Sequence, residues 1–281
     1  LAKFKKGPEI DIVDKPKLNQ MLFGLEKKKL YVIGARPSHA KTAFILDLAY
    51  DISSRHKVLI LSLESTEEEI MFRLLCRHSG IPNSKLRTMA SEEYIEEHMS
   101  FCEDIKRREL IVSEETGKTL EEVESSINRL MLNKPDIIII DYIQCIKGNR
   151  KLETIDNYIR ELRAIAIREN ICIIICSQIS RANIAEGHAP TMEGLKNSGT
   201  LEEQADGVLV LYYPYKQNKV DSSISINDFI IFVSKNKNGP TGYVKYDIYP
   251  EIYRFAEKED AKKEEKTKTF EQVKDEVAWN E

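Results

Sequence analysis

Lys41 and Thr42 stand side by side at the start of a helical pattern, just after a short apolar run and a turn. The run is Leu30–Ile33, the turn holds Pro37, and Thr42–Ser53 carries Phe44, Ile45, Leu48, Ala49 and Ile52 at helical spacing. This setting suits phosphate chemistry. Backbone N–H groups at a helix start attract anions, a lysine ammonium there reaches the β- and γ-phosphates of a nucleotide, and a hydroxyl can hold Mg²⁺. Gly34–Thr42 therefore reads as a variant of the loop G-x-x-x-x-G-K-[ST]. Its candidate nucleotide-binding residues are Arg36, Pro37, Ser38, His39, Ala40, Lys41, Thr42 and Ala43. Both glycines of that pattern are missing, replaced by Ala35 and Ala40. A Cβ at position 40 costs on the order of 1 kcal/mol if φ is positive there. Taken alone, the segment could equally be an ordinary loop with a solvated lysine.

Three more polar groups stand at strand-like tips. Ile137–Ile140 is followed by Asp141, a carboxylate placed to orient Mg²⁺ beside Thr42. Leu63-Glu64 follows the run Val58–Leu61, and Glu64 is a candidate catalytic base for water. Ser177-Gln178 follows Ile171–Cys176, and Gln178 can sense a γ-phosphate by hydrogen bonding. Each alone suits a capping or turn residue. Together with Lys41 they make one set, because the carboxyl ends of parallel strands are where nucleotides bind.

The elements that must carry this set alternate. Helical patterns run over Thr66–Ser79, Ser91–Arg108, Thr119–Leu132 and Thr154–Asn170, with a capping box expected at Thr66 and Glu69. Leu110–Val112 is a further short strand. Strands apolar on both faces, alternating with helices, predict an α/β fold with a mostly parallel central sheet flanked by helices. Beyond Asp206 the runs Val208–Tyr212, Phe229–Ser234, Tyr243–Ile248 and Ile252–Phe255 follow one another over short links, which predicts antiparallel strands at the C-terminal edge.

Composition sets the limits. The chain has 281 residues, a formal charge of −4 and 42% hydrophobic residues, enough for a sizeable core. The balance argues against a broadly basic nucleic-acid coat, though not against binding through a few loops. No apolar run approaches the roughly 18–20 residues of a membrane span, so no membrane partner is expected. Cys76, Cys102, Cys145, Cys172 and Cys176 form no C-x-x-C pair, which favours a reducing compartment. Residues 1–23 mix charges with Gly7, Pro8 and Pro16 and read as a lead-in segment or linker; 24–256 reads as one domain, and 257–281 as a charged tail in which Val277 and Trp279 could dock. Because it starts at Leu1 rather than Met, the chain reads as a fragment of something longer.

Beyond these single groups, the motifs resemble the C-terminal ATPase domain of the DnaB-type replicative helicases, built on the RecA fold. The likeness rests on A-R-P-S-x-x-K-T at Ala35–Thr42, S-L-E at Ser62–Glu64, I-I-I-D-Y-I-Q at Ile138–Gln144 and S-Q-I-S-R at Ser177–Arg181. It continues through L-K-N-S-G-x-L-E-E-Q-A-D at Leu195–Asp206 and K-N-K-N-G-P-T-G at Lys235–Gly242. It is collinear from about Gly24 to Phe255. The resemblance implies a RecA-like P-loop NTPase that uses ATP and Mg²⁺ as a DNA helicase of the 5'-3' type. It implies a hexameric homo-oligomer, single-stranded DNA as partner, primase and a helicase loader as further partners, and the cytoplasm of a bacterial or phage-infected cell.

The resemblance also assigns roles. Lys41, Asp141, Gln178 and Glu64 are its catalytic set, and Thr42 with Asp141 its metal pair. Lys235 and Lys237 would reach into a neighbouring subunit's ATP site. Arg181, Lys196, Asn197, Ser198 and Gly199 would grip DNA phosphates from a loop facing the channel, a backbone-binding task that needs few charges and no base readout. This chain departs from the pattern at Ala40, at Lys237, where the family typically has Arg, at Lys196, where Arg is usual, and at His39, where Met is common. Lysine cannot make the planar bidentate contact of an arginine finger. No N-terminal helical domain is present, and the latching linker helix is absent or only partly represented before Gly24. A hydrolysis-impaired nucleotide- and DNA-binding assembly protein is the alternative these departures motivate. A recombinase-like ATPase is a second, opposed by the S-L-E box and the K-N-K-N-G turn.

Overall fold

The computed structural model describes residues 7–146, 152–179, 190–195, 198–217 and 224–259. Its centre is a nine-stranded sheet in the order β3-β2-β4-β5-β1-β6-β7-β8-β9. The strands are β1 Leu30–Ala35, β2 Val58–Ser62, β3 Leu110–Glu114, β4 Ile137–Asp141, β5 Cys172–Gln178, β6 Gly207–Tyr212, β7 Asp228–Asn236, β8 Gly242–Tyr249 and β9 Arg254–Glu257. From β3 to β6 all neighbours are parallel. From β6 onward they are antiparallel.

The two faces of the sheet follow from the period of two along each strand. Tyr31 and Ile33 of β1 with Ile137 and Ile139 of β4 point into one core cluster; Leu30 and Val32 with Ile138 and Ile140 point into the other. Both faces are covered, so the isoleucine run of β4 is buried throughout. The first face carries α2 (Lys41–Ile52) and α3 (Glu67–Ser79); the second carries α7 (Leu152–Arg168) and α8 (Ser198–Gln204). The predicted α/β fold, with its antiparallel C-terminal edge, is the one observed.

Several boundaries move for local reasons. α7 stops at Arg168 because Asn170 takes a left-handed conformation, and β5 then runs on to Gln178. The last strand starts at Arg254, not Ile252, because the chain is still turning there, with Tyr253 at φ 54°. At α3, Thr66 accepts from the Glu69 N–H, which is half of the expected capping box. The complete reciprocal box forms instead at Thr119 and Glu122, opening α6 (Leu120–Leu130).

The lead-in segment is part of the packed body. Ile10, Ile12, Leu18 and Leu22 are core residues, the last two on the short helix α1 (Pro16–Leu22). Glu257 accepts from the N–H groups of Lys17 and Leu18, so one carboxylate of the presumed tail caps this helix. Lys15 is wholly buried, with Asp47 at 2.7 Å and Asp51 at 2.5 Å. A boundary at residue 24 is therefore one of sequence pattern, not of packing. Val277 and Trp279 lie outside the described residues. Among the described residues no helix is long and apolar enough to cross a membrane.

Candidate active site

β1 ends at Ala35, the chain turns through Arg36–Ala40 with His39 N–H bonded to the Arg36 carbonyl at 3.2 Å, and α2 starts at Lys41. Two residues of this turn are left-handed without being glycine: Ser38 at φ 65° and Ala40 at φ 57°. The sequence flagged Ala40; Ser38 was invisible to it, because the pattern has no glycine there. Ala40 is the N-cap of α2 and makes no side-chain cap, which leaves first-turn N–H groups for a phosphate.

Replacing Ala40 by Gly is expected to raise stability. An alanine loses about 1–2 kcal/mol in this conformation, and the looser unfolded chain of glycine returns about 0.4–1 kcal/mol. A net gain of about 0.5–1 kcal/mol should appear as a higher melting temperature; a lower one would refute the strain.

Lys41 is 7% exposed and pairs with Asp141 at the tip of β4. The Thr42 hydroxyl donates to the other Asp141 oxygen at 2.7 Å. The Tyr142 ring lies under the ammonium, 4.4 Å from Nζ to the centroid. Burial works against the Lys41 charge, but Asp141 outweighs it, with Cys176 and Glu64 adding, so its pKa is raised. Sheet register brings the other tips in. Ser62 pairs with Asp141, and Leu63 N–H donates to the Asp141 carbonyl at 2.7 Å, so the exposed Glu64 stands beside that carboxylate. Gln178 pairs with Ala35, next to the loop. Lys41, Thr42, Glu64, Asp141 and Gln178 thus share one sheet edge.

Gln144 is a residue that sequence reasoning quoted but gave no task. Its Nε2 donates to Ser177 Oγ at 2.8 Å, and its Oε1 accepts from Gln178 N–H at 3.4 Å. It ties the turn after β4 to the tip of β5 and so fixes where Gln178 starts. Only its place in I-I-I-D-Y-I-Q could have drawn attention to it.

Lys235 and Lys237 sit at the other end of the sheet. Asn236 pairs with Gly207, which pairs with Tyr31, four residues before Ala35. That places this turn about 13 Å or more from the phosphate loop along the strand direction. Lys237 lies 3.5 Å from Asp206, and its N–H donates to the Asp206 carbonyl at 2.9 Å. Neither lysine is brought to the site of its own chain.

Arg181, Lys196 and Asn197 lie outside the described residues. The ends of that stretch are placed: Ile179 and Leu195 form an antiparallel bridge. Leu195 packs so close to β1 that a Cβ on Gly34 would stand 2.4 Å from its Cδ2, which explains the glycine at position 34. Ser198 and Gly199 open α8 rather than lying in a loop.

Against this geometry, the family model of the DnaB-like helicase C terminal domain matches residues 14–257. The chain belongs to this family. The DnaB-like fold is confirmed by a solved ATPase domain that superposes with a TM-score of 0.81 at 25% identity, over 92% of this chain and 95% of that one. A DnaB-like replicative helicase, solved with its interactions with primase, gives 0.78 at 25% identity, over 90% of this chain and 63% of that one. Among curated proteins, the replicative DNA helicase DnaC of Bacillus subtilis (strain 168) is 30% identical over 85% of this chain and 54% of its own length. The replicative DNA helicase DnaB of Buchnera aphidicola subsp. Baizongia pistaciae (strain Bp) is 31% identical over 85% and 53%. The chain spans about half the length of the curated relatives it matches.

Proposed function

We propose that this chain is the ATP-driven motor of a replicative DNA helicase, hydrolysing ATP between subunits of a homo-oligomeric ring and moving on single-stranded DNA in the 5'-3' sense. The observation that carries the reading is the meeting of Lys41, Thr42 and Asp141 at one sheet edge. Lys41 binds the β- and γ-phosphates, and the first turn of α2 wraps them. Thr42 Oγ1 and the Asp141 carboxylate are hard oxygen donors 2.7 Å apart, a set that fits Mg²⁺, which would neutralise phosphate charge when bound. Glu64 takes the proton of the attacking water, and Gln178 reads the γ-phosphate.

The Ile179–Leu195 bridge begins one residue after Gln178, so a shift at that strand tip passes directly to the segment bearing Arg181 and Lys196. This supports assigning DNA grip to Arg181, Lys196, Asn197, Ser198 and Gly199. The ring is hexameric in this reading, works with a primase and a loader, and acts in the bacterial or phage-infected cytoplasm.

ATP turnover measured with and without single-stranded DNA tests the motor. Nucleotide binding without turnover under either condition would replace it with the hydrolysis-impaired assembly protein. Lys235 and Lys237, at the far edge, complete a neighbour's site. Lys237→Ala should therefore abolish turnover while leaving nucleotide binding intact, and wild-type turnover per subunit should rise with protein concentration. Turnover independent of both would rule out the trans arrangement.

A further inference from the structure

The phosphate loop lacks both glycines of its pattern, yet it holds two left-handed residues, Ser38 and Ala40, on either side of His39. Such backbone persists only where its surroundings hold it. The surroundings here are one short stretch of chain. His39 is 4% exposed, its ring lies nearly parallel to Tyr212 at 6.3 Å, and its Nδ1 accepts the Tyr213 N–H at 3.2 Å. Arg36, at the start of the turn, donates from Nη1 to Gln217 Oε1 at 2.9 Å. Both attachments end on the corner formed by the tip of β6 and the short helix α9 (Pro214–Gln217). That corner is itself fixed: Tyr212 pairs with Ile230 of β7, and the Tyr213 hydroxyl donates to the Ile226 carbonyl at 2.7 Å.

Because a backbone N–H can only donate, Nδ1 must keep its lone pair. Burial, then the charges of Arg36 and Lys216, hold the His39 pKa at about 4, so the ring is neutral at physiological pH and the acceptor is available.

We propose that His39 is a positioning residue: its bond to Tyr213 braces the glycine-free loop in phosphate-binding shape, and the nucleotide affinity of this chain depends on that brace. The inference rests on the reading of Arg36–Thr42 as the phosphate site. A brace of this kind pre-pays, through packing on the β6–α9 corner, for backbone angles that glycines would adopt unaided.

The test is titration with a fluorescent ADP, with ATP turnover and circular dichroism as companions. His39→Ala should weaken ADP binding by about tenfold, the loss of one buried hydrogen bond. The KM for ATP should rise with little change in kcat, because the bond holds the loop and touches no reacting atom. His39→Asn, whose Oδ1 can stand where Nδ1 accepts, should recover most of the affinity. Adding Ala40→Gly to His39→Ala should also recover it, by removing one of the angles that needs holding. Unchanged affinity in His39→Ala would overturn the brace. So would a loss that neither His39→Asn nor the Ala40→Gly addition recovers, since that pattern belongs to packing alone. If the unaltered chain binds no ADP, the phosphate-site reading itself falls, and the brace with it.

Discussion

Lys41→Met is expected to lower ATP turnover by about 10²–10³-fold, the usual cost of removing one preorganised group that stabilises developing charge. Lys41 is held from three sides by burial, the Asp141 carboxylate and the Tyr142 ring, so its ammonium has one position from which to meet a phosphate. Methionine keeps the length and apolar body of the side chain and removes the charge, which limits the change to chemistry. Asp141→Asn is the matched variant. It keeps an oxygen for the Thr42 hydroxyl, which donates at 2.7 Å in the native chain, but removes the charge that would hold Mg²⁺. The two should separate on binding: Lys41→Met loses affinity and turnover together, whereas Asp141→Asn loses turnover and its response to Mg²⁺ while still binding nucleotide. Turnover within tenfold of wild type in Lys41→Met would remove Lys41 from the reacting centre.

How much of this site was legible before the fold was known depended on periodicity. Four strand tips could be found because buried parallel strands are short and apolar on both faces, so the first polar residue after each marks the carboxyl edge: Glu64, Asp141 and Gln178, with Lys41 beyond the loop after β1. Their meeting depended on strand order, which no local pattern encodes. The same topology sends Lys235 and Lys237 to the opposite edge, a fact that follows only from β7 running antiparallel to β6. Conformations imposed by tertiary contacts stayed hidden. Nothing in Arg36–Ala40 announces that Ser38 is left-handed, and nothing in Gln144 announces its clasp on Ser177. Residues 1–23 misled for a related reason. A segment rich in lysine, aspartate and proline has the composition of a linker, and composition cannot show that one of its lysines will be buried by two carboxylates from a distant helix.

That lysine supplies the second large effect. Lys15 has no exposed surface and bridges Asp47 and Asp51, one turn apart on α2. Arg77 of α3 closes the group, pairing with Asp47 and reaching Asp51 at 2.8 Å. Lead-in segment, phosphate-loop helix and the helix after Glu64 are joined at this knot. Lys15→Met leaves two buried carboxylates sharing one arginine, and breaking a buried ion pair from one side costs about 3–5 kcal/mol. At about 2–4 °C per kcal/mol for a domain of this size, melting should fall by roughly 6–20 °C. The loss should depend on pH in a fixed direction. Burial holds the Asp51 pKa up at about 6, Lys15 pulls against that, and Asp47 adds to it. Without Lys15 it rises further. A carboxyl whose folded pKa lies above its unfolded value near 3.9 takes up a proton on folding, so stability grows as pH falls through the folded pKa. The gap between wild type and Lys15→Met should therefore be widest above pH 7 and narrow toward pH 5. Replacing Asp51 by Leu in the Lys15→Met background should recover much of the loss, because Asp47 then keeps Arg77 to itself and no second carboxylate is left to compensate. Melting of Lys15→Met within about a degree of wild type at pH 7.5 would mean that the knot does not anchor the lead-in segment.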